Sequence, residues 1–514
     1  MKARLLHRDQ DADVRRPLSW NEEALRKDFA LDTLFNVMAR GDEVVLEVTK
    51  KVMLSGMECD LETIGYRQKI LQDCLNNAAV VRDLYAVAVE VMEREKKHYR
   101  GSLTRYPNWV LRGSIELLEE TFLGAIRKLR KTADLHAYKF TSEGWTALFA
   151  TLQEELSDGY FVRVKDHLAR LKFRDGVLIG AGLGKGNKGT KYVLRRPYAE
   201  EREGWLTRLL ARRPPVLGFA LHPRDESGAR ALAELRDRGI SLVANALAQS
   251  TDHMSSFFSM LRTELAFYVG CVNLHEHLFR KGEPTCFPVP VATEERRLSF
   301  RGLYDVCLAL SLDRRVVGND ANADEHDLVI VTGANQGGKS TFLRSIGSAQ
   351  LMMQCGMFVP ANSFCSSLYD GLFSHFRREE DAGMESGKLD EELCRMSEIV
   401  DRVTAHSMIL FNESFAATNE REGSEIAGQI VSALSDEEIK IVYVTHLYEL
   451  AQGLYEKNPG DILFLRAERQ ADGARTFKLV EGAPLPTSFG EDLYDNVFGI
   501  VPETFGLPVA RRSD

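Results

Sequence analysis

The sequence predicts a multidomain protein in which an all-α body precedes an α/β domain of the P-loop type. Three observations predict it. Residues 328–344 read L-V-I-V-T-G-A-N-Q-G-G-K-S-T-F-L-R: an apolar, β-branched run, a glycine-rich loop and the start of an amphipathic helix. Two more apolar runs, 408–411 and 441–444, end in polar residues, as buried strands of a parallel sheet do. Much of the chain before residue 296 repeats apolar residues every three to four positions, the period of a helix with one buried face.

Taken in order, residues 1–17 carry many charges and no apolar run, and are expected to be a flexible tail. Residues 18–105 form a first helical domain, with Leu61, Ile64, Ile70 and Leu71 near helical spacing. A break at Tyr106-Pro107 opens a second helical region, 106–295, whose first run passes through Leu111, Ile115, Leu118, Phe122, Ile126 and Leu129. Inside this region two short apolar segments, 176–180 and 191–194, read as a small β-hairpin spanning 176–194. Its connection, G-L-G-K-G-N-K-G, contains a G-x-G-x-x-G, but no helix follows, so a hairpin tip suits it better than a dinucleotide loop. Lys185, Lys188 and Lys191 in and beside that tip are the candidates for contact with a nucleic-acid backbone. An Arg-rich connection ends in a break at Arg212-Arg213-Pro214-Pro215. From Asp252 to about Arg280 runs the longest helical pattern, through Met254, Phe257, Leu261, Leu265, Tyr268 and Val272, closed by Gly282 and Pro284. About thirty helical residues span roughly 45 Å. The rest, 296–514, is the α/β domain.

Within that domain Gly333, Ala334, Asn335, Gln336, Gly337, Gly338, Lys339 and Ser340 spell G-x-x-x-x-G-K-S, and Thr341 begins the helix. Glycines allow backbone N–H groups to curl round a phosphate, the lysine reaches the outer phosphates, and the serine hydroxyl completes the shell of a Mg²⁺ ion. A helix starting here aims its positive N-terminal end at the same anion. The strand 408–411 ends in Asn412-Glu413. At this edge the first residue supports the Mg²⁺ shell and the second orients the attacking water, so Asn412 is the metal candidate and Glu413 the catalytic one. The strand 441–444 ends in Thr445-His446, placing His446 where a γ-phosphate is sensed. ATP and Mg²⁺ are the cofactors this set calls for.

Composition excludes several classes. Acidic residues outnumber basic ones, 75 to 66, with a pI near 5.9, so any nucleic-acid contact must come from local patches. Eight cysteines contain no C-x-x-C pair, which fits reduced thiols in a cytoplasm rather than disulfides or zinc. No secretory h-region and no membrane-length apolar run is present, so a cytoplasmic protein with no membrane partner is expected.

Together T-G-A-N-Q-G-G-K-S-T-F-L-R, M-I-L-F-N-E with Thr418 and Gly423 behind it, and T-H-L-Y-E-L resemble the MutS-type DNA mismatch-repair ATPases. V-V-G-N-D, ending in Asn319 and Asp320, looks like that family's adenine-pocket segment, and Thr487-Ser488-Phe489-Gly490 like its closing S-Y-G. The resemblance covers about residues 300–500; before that it is architectural, a core-and-lever body of long helices. It implies an ABC-like ATPase domain, a homodimer with composite ATP sites, and a clamp on DNA. The sequence departs from the family in three places. No mismatch-reading domain is recognised, so the DNA contacts are expected to be backbone contacts indifferent to mismatches. The partner-facing serine position falls on Gly387, beside Ser386, and the acidic metal residue is Asn412. The expected function is therefore an ATP-dependent DNA clamp with slow hydrolysis. A nucleotide-gated clamp with little hydrolysis, or another ABC-like chromosome-maintenance ATPase, are the alternatives.

Overall fold

The structure is a computed structural model that describes residues 1–13, 17–99, 106–174, 176–195, 217–378, 387–457, 460–470 and 474–485. The chain divides into two compact units. One comprises residues 1–3, 79–141 and 145–262; the other comprises 4–78, 142–144 and 263–514. This cuts the chain elsewhere than the expected boundaries at 18, 106 and 296. The first helices, read from the sequence as a domain of their own, pack with the α/β part.

Those helices are α1 (Glu22–Asp28), α2 (Leu31–Ala39), α3 (Glu43–Leu54) and α4 (Leu61–Asn76). Asp42 and Asp60 cap α3 and α4, their carboxylates accepting from Val44 and Val45 N–H and from Thr63 N–H. The extreme N-terminal stretch is not a free tail. Leu5 and Leu6 are fully buried. Tyr66 and Tyr268 hydroxyls donate to the carbonyls of Arg4 and Leu5 at 2.7 and 2.6 Å, and Arg67 Nε donates to that of Leu6 at 2.8 Å. The Leu5 N–H donates to the Glu264 carboxylate, whose pKa burial pushes up to about 7. Two leucines among charged residues give no periodic signal, which is why the segment reads as a tail.

The other unit is helical. It contains α5 (Ala78–Tyr99) from residue 79 onward, α6 (Pro107–Leu117), α7 (Leu123–His136), α8 (Glu143–Glu155) from residue 145 onward and α9 (Asp158–Leu171). A single π-helical turn, residues 118–122, joins α6 to α7, so the helical run expected from Trp109 is continuous but widened by one turn. Phe140, Trp145 and Phe149 pack with ring centroids 4.8–5.3 Å apart, and Phe122 stacks on Phe258 at 5.9 Å. The hairpin forms from β1 (Ile179–Leu183) and β2 (Gly189–Leu194), antiparallel with a bulge near Gly180. The long helix α10 (Glu226–Lys281) has 56 residues and starts well before the expected Asp252. Its first half exposes Leu232, Leu235 and Leu242, so its apolar residues do not mark one buried face. The break expected at Arg212–Pro215 lies outside the described residues.

After α10 the chain builds two sheets. A small four-stranded sheet has the order β3 (Val289–Val291), β7 (Ser363–Ser367), β4 (Leu298–Leu303) and β5 (Asn319–Asn322). Helix α11 (Val306–Ser311) follows β4. The larger sheet has the order β12 (Arg475–Glu481), β11 (Ile462–Arg469), β6 (Leu328–Gly333), β10 (Lys440–Val444), β9 (Met408–Asn412) and β8 (Leu372–Phe376). Its five strands β11 to β8 are parallel and β12 is antiparallel. Every residue of β6 and β10 is buried, which explains why these strands read as unbroken apolar runs. Helices α12 (Lys339–Gln354), α13 (Lys388–Val400), α14 (Glu420–Asp436) and α15 (Tyr448–Lys457) complete the layers. Parallel strands run in one direction, so the residues after β6, β9 and β10 reach the same edge of the sheet, where α/β proteins hold their ligands.

Candidate nucleotide site

At that edge lies a cavity of about 430 Å³. Its floor is the loop between β6 and α12. Gly338 takes φ = 89° at the N-cap of α12, a left-handed conformation that glycine adopts without strain. Lys339 is buried, and its Nζ donates to the carbonyls of Gly333 and Ala334 at 3.0 Å each. Burial lowers its pKa to about 8, against the opposing charge of Glu413. Ser340 Oγ donates to Asn412 Oδ1 at 2.9 Å. His446 Nε2 donates to Glu413 Oε1 at 2.8 Å. This hydrogen bond holds the Glu413 carboxyl below the usual carboxylate range; the charges of His446, Lys339 and Arg377 act in the same sense and burial opposes them.

Of the sequence candidates, Asn335, Gln336, Gly337, Gly338, Lys339, Ser340, Thr341, Asn319 and Glu413 line the cavity. Gly333 and Ala334 lie beneath, as acceptors for Lys339. Asn412 and His446 stand one hydrogen bond behind, through Ser340 and Glu413. Asp320 is not at the wall: its carboxylate accepts from Gly302 N–H at 2.6 Å and serves the small sheet. Asn319 faces the cavity but is also a clamp between sheets, with Nδ2 donating to Phe477 O and Oδ1 accepting from Leu479 N–H. The partner-facing position Gly387 is the N-cap of α13, while Ser386 and residues 487–490 lie outside the described residues.

Sequence reasoning missed Tyr304 and Asp305 between β4 and α11, Leu308 in α11, Leu312 just after it, and Phe477 from β12. Phe477 sits at φ = 59° and 42% exposed, its ring against Gly338. Nothing in the local pattern marks it, because the hairpin reaches the loop only through sheet pairing: Ala467 is in register with Gly333, and Arg475 Nε donates to Asn335 O. Gly423 on α14 has a legible reason: a Cβ there would meet Phe415 O at 2.5 Å, so glycine lets the helix approach the turn after β9.

Lys185, Lys188 and Lys191 lie in the other unit, in and beside the tip of the β1–β2 hairpin. Among the described residues no helix is long and apolar enough to cross a membrane.

Fold and cavity define the class: a multidomain protein with a helical region and an α/β domain carrying its site at the carboxyl ends of parallel strands. Two family models fall on the chain, the MutS2 N-terminal domain over residues 59–281 and MutS domain V over 329–497. The chain belongs to the MutS-related family. It is 26% identical over 275 residues to the DNA mismatch repair protein MutS of Protochlamydia amoebophila, covering 50% of this chain and 31% of that protein. It is 31% identical over 170 residues to MutS of Thermus aquaticus, covering 33% and 20%. It is 29% identical over 173 residues to endonuclease MutS2 of Lacticaseibacillus casei, covering 33% and 22%. The matches thus span between a fifth and a third of these relatives' lengths.

Proposed function

We propose that this protein binds ATP in the cavity above the β6–α12 loop, hydrolyses it slowly, and uses the cycle to open and close a clamp on DNA. The observation that carries the reading is the convergence on one cavity of the glycine loop, Lys339, Ser340 and Glu413. In it the triphosphate lies along residues 335–341, with the base toward Val316, Val317 and Phe477. Lys339 Nζ leaves its two carbonyls for the outer phosphates. Glu413 takes a proton from the attacking water as the water oxygen bonds to the γ-phosphorus and the bond to ADP breaks. The Ser340 and Asn412 oxygens, 2.9 Å apart, would help to hold a Mg²⁺ ion bound to the phosphates. Such an ion would neutralise phosphate charge. A cytoplasmic homodimer with composite ATP sites, as the resemblance to MutS-type proteins implies, is part of this reading.

One observation favours a second reading, a clamp with little or no turnover. Asn412 brings no charge, and its Oδ1 already accepts from Ser340. Outer partners of this kind typically matter by about 10–100-fold in metal affinity or activity. Asn412→Asp is therefore expected to lower the Mg²⁺ concentration for half-maximal ATPase by about tenfold. Loss of activity in that variant would mean that the site is built around the amide.

The DNA part of the reading rests on the hairpin lysines. Replacing Lys185, Lys188 and Lys191 together by Ala should weaken duplex binding. It should also flatten the slope of log K against log[salt] by roughly 2–3, at about 0.9 for each phosphate no longer neutralised. Matched and mismatched duplexes should be affected alike. An unchanged slope removes the hairpin from the DNA surface, and a hundredfold preference of the parent for a mismatch overturns the backbone-only reading.

A further inference from the structure

Helix α10 ends in a left-handed turn. Gly282 takes φ = 71°, and the N–H groups of Gly282 and Glu283 donate to the carbonyls of Phe279 and Leu278 at 3.0 Å each, a closure that glycine allows without strain. Four consecutive residues at this turn bond to one stretch of the cavity wall. Lys281 Nζ donates to the carbonyls of Ala309, Leu310 and Leu312 at 2.8, 3.2 and 2.8 Å. Arg315 donates to Gly282 O. Glu283 Oε1 accepts from Val316 N–H at 3.0 Å, and Pro284 O accepts from the Tyr304 hydroxyl at 3.0 Å. Tyr304, Leu308, Leu312, Arg315 and Val316 all line the cavity.

These contacts give the wall an order it lacks by itself. Helix α11 has six residues, too few to be stable alone. Carbonyls in its last turn have no partner within the helix, and the Lys281 ammonium both satisfies them and sets a positive charge at the negative end of the helix. At the other end Asp305 Oδ1 accepts from Leu308 N–H at 3.1 Å, and Asp305 Oδ2 accepts from Arg344 Nε on α12 at 2.9 Å. Helix α11 is thus held by α12 at its start and by the end of α10 at its finish. Glu283 is buried (6% exposed), a costly place for a carboxylate that made no hydrogen bond. The side-chain hydrogen bonds of Lys281 and Glu283 go to residues 309–316; among the described residues none goes to the loop 333–340.

We propose that Lys281 and Glu283 are positioning residues for the nucleotide: they fix the side of the cavity that receives the base, so that ATP binding and the order of the α10 terminus depend on each other. Linkage makes the effect reciprocal, since a ligand that needs the ordered wall also stabilises it. A ligand made of phosphates alone, seated on the loop 333–340, does not feel either residue. This rests on the reading of the cavity as an ATP site.

The test compares ATP with inorganic tripolyphosphate, both with Mg²⁺, by titration calorimetry on the full chain. Lys281→Ala and Glu283→Ala are each expected to raise the ATP Kd about tenfold, the order of one buried polar group left unsatisfied, with the tripolyphosphate Kd within about threefold of the parent. Lys281→Arg keeps a donor and Glu283→Gln keeps an acceptor, so each should bring the ATP Kd back to within about threefold. Hydrogen–deuterium exchange on the parent decides the matter if the Ala variants do not fold: ATP should slow exchange at 278–283 and 309–316, and tripolyphosphate should not. Unchanged ATP affinity in the Ala variants, equal losses for the two ligands, or exchange that ATP leaves unaltered overturns the inference while the ATP reading stands. A parent that binds neither ligand overturns both.

Discussion

Glu413→Gln is expected to bind ATP as tightly as the parent and to turn it over 10²- to 10⁴-fold more slowly, the usual range for removing a positioned general base. The substitution keeps the shape and the hydrogen bond to His446, since the amide oxygen still accepts from Nε2 at the 2.8 Å contact. What it removes is the capacity to take a proton. The ionised state of Glu413 is favoured by His446 and by the charges of Lys339 and Arg377, so the parent carboxylate is ready as a base at neutral pH. Rapid-quench measurement of ADP formation, beside equilibrium nucleotide binding, separates the two effects. Turnover at the parental rate would remove Glu413 from the chemistry. A parallel loss of binding would assign it to nucleotide holding instead.

Lys339→Ala is expected to weaken ATP binding by roughly 10²-fold, or about 2.7 kcal/mol at about 1.36 kcal/mol per tenfold. The variant cannot make the charge-assisted bond to phosphate. In the parent, burial has lowered the Lys339 pKa to about 8. The charged form binds phosphate, so bound nucleotide raises that pKa, and affinity should fall as the pH rises through about 8. Titration calorimetry at pH 7 and pH 9 checks this. Equal affinity in the Ala variant and the parent would show that the loop is not the nucleotide site.

The residues that sequence alone can name are those whose chemistry is local. The loop 333–340 declares itself because a strand, a glycine-rich turn and a helix must follow one another in the chain. Asn412, Glu413 and His446 are legible because the apolar runs 408–411 and 441–444 are buried strands, so the polar residues that follow each run mark the sheet edge. For Asp320 the motif cannot say which of two neighbours faces inward; pairing with β4 turns its carboxylate to Gly302 and leaves Asn319 at the cavity. The N-terminal residues escape a local reading for the opposite reason: their partners Tyr66, Glu264 and Tyr268 lie far away in sequence.

The class of the α/β domain, the glycine-rich loop 333–340 and the polar ends of its strands are legible locally, because periodicity and short motifs are properties of neighbouring residues. That residues 4–78 pack with the α/β part, and that Phe477 and Tyr304 complete the cavity, follows only from the folded chain. These depend on strand order, sheet register and helix docking. Such features come from burying apolar surface contributed by distant segments, and no local pattern encodes them.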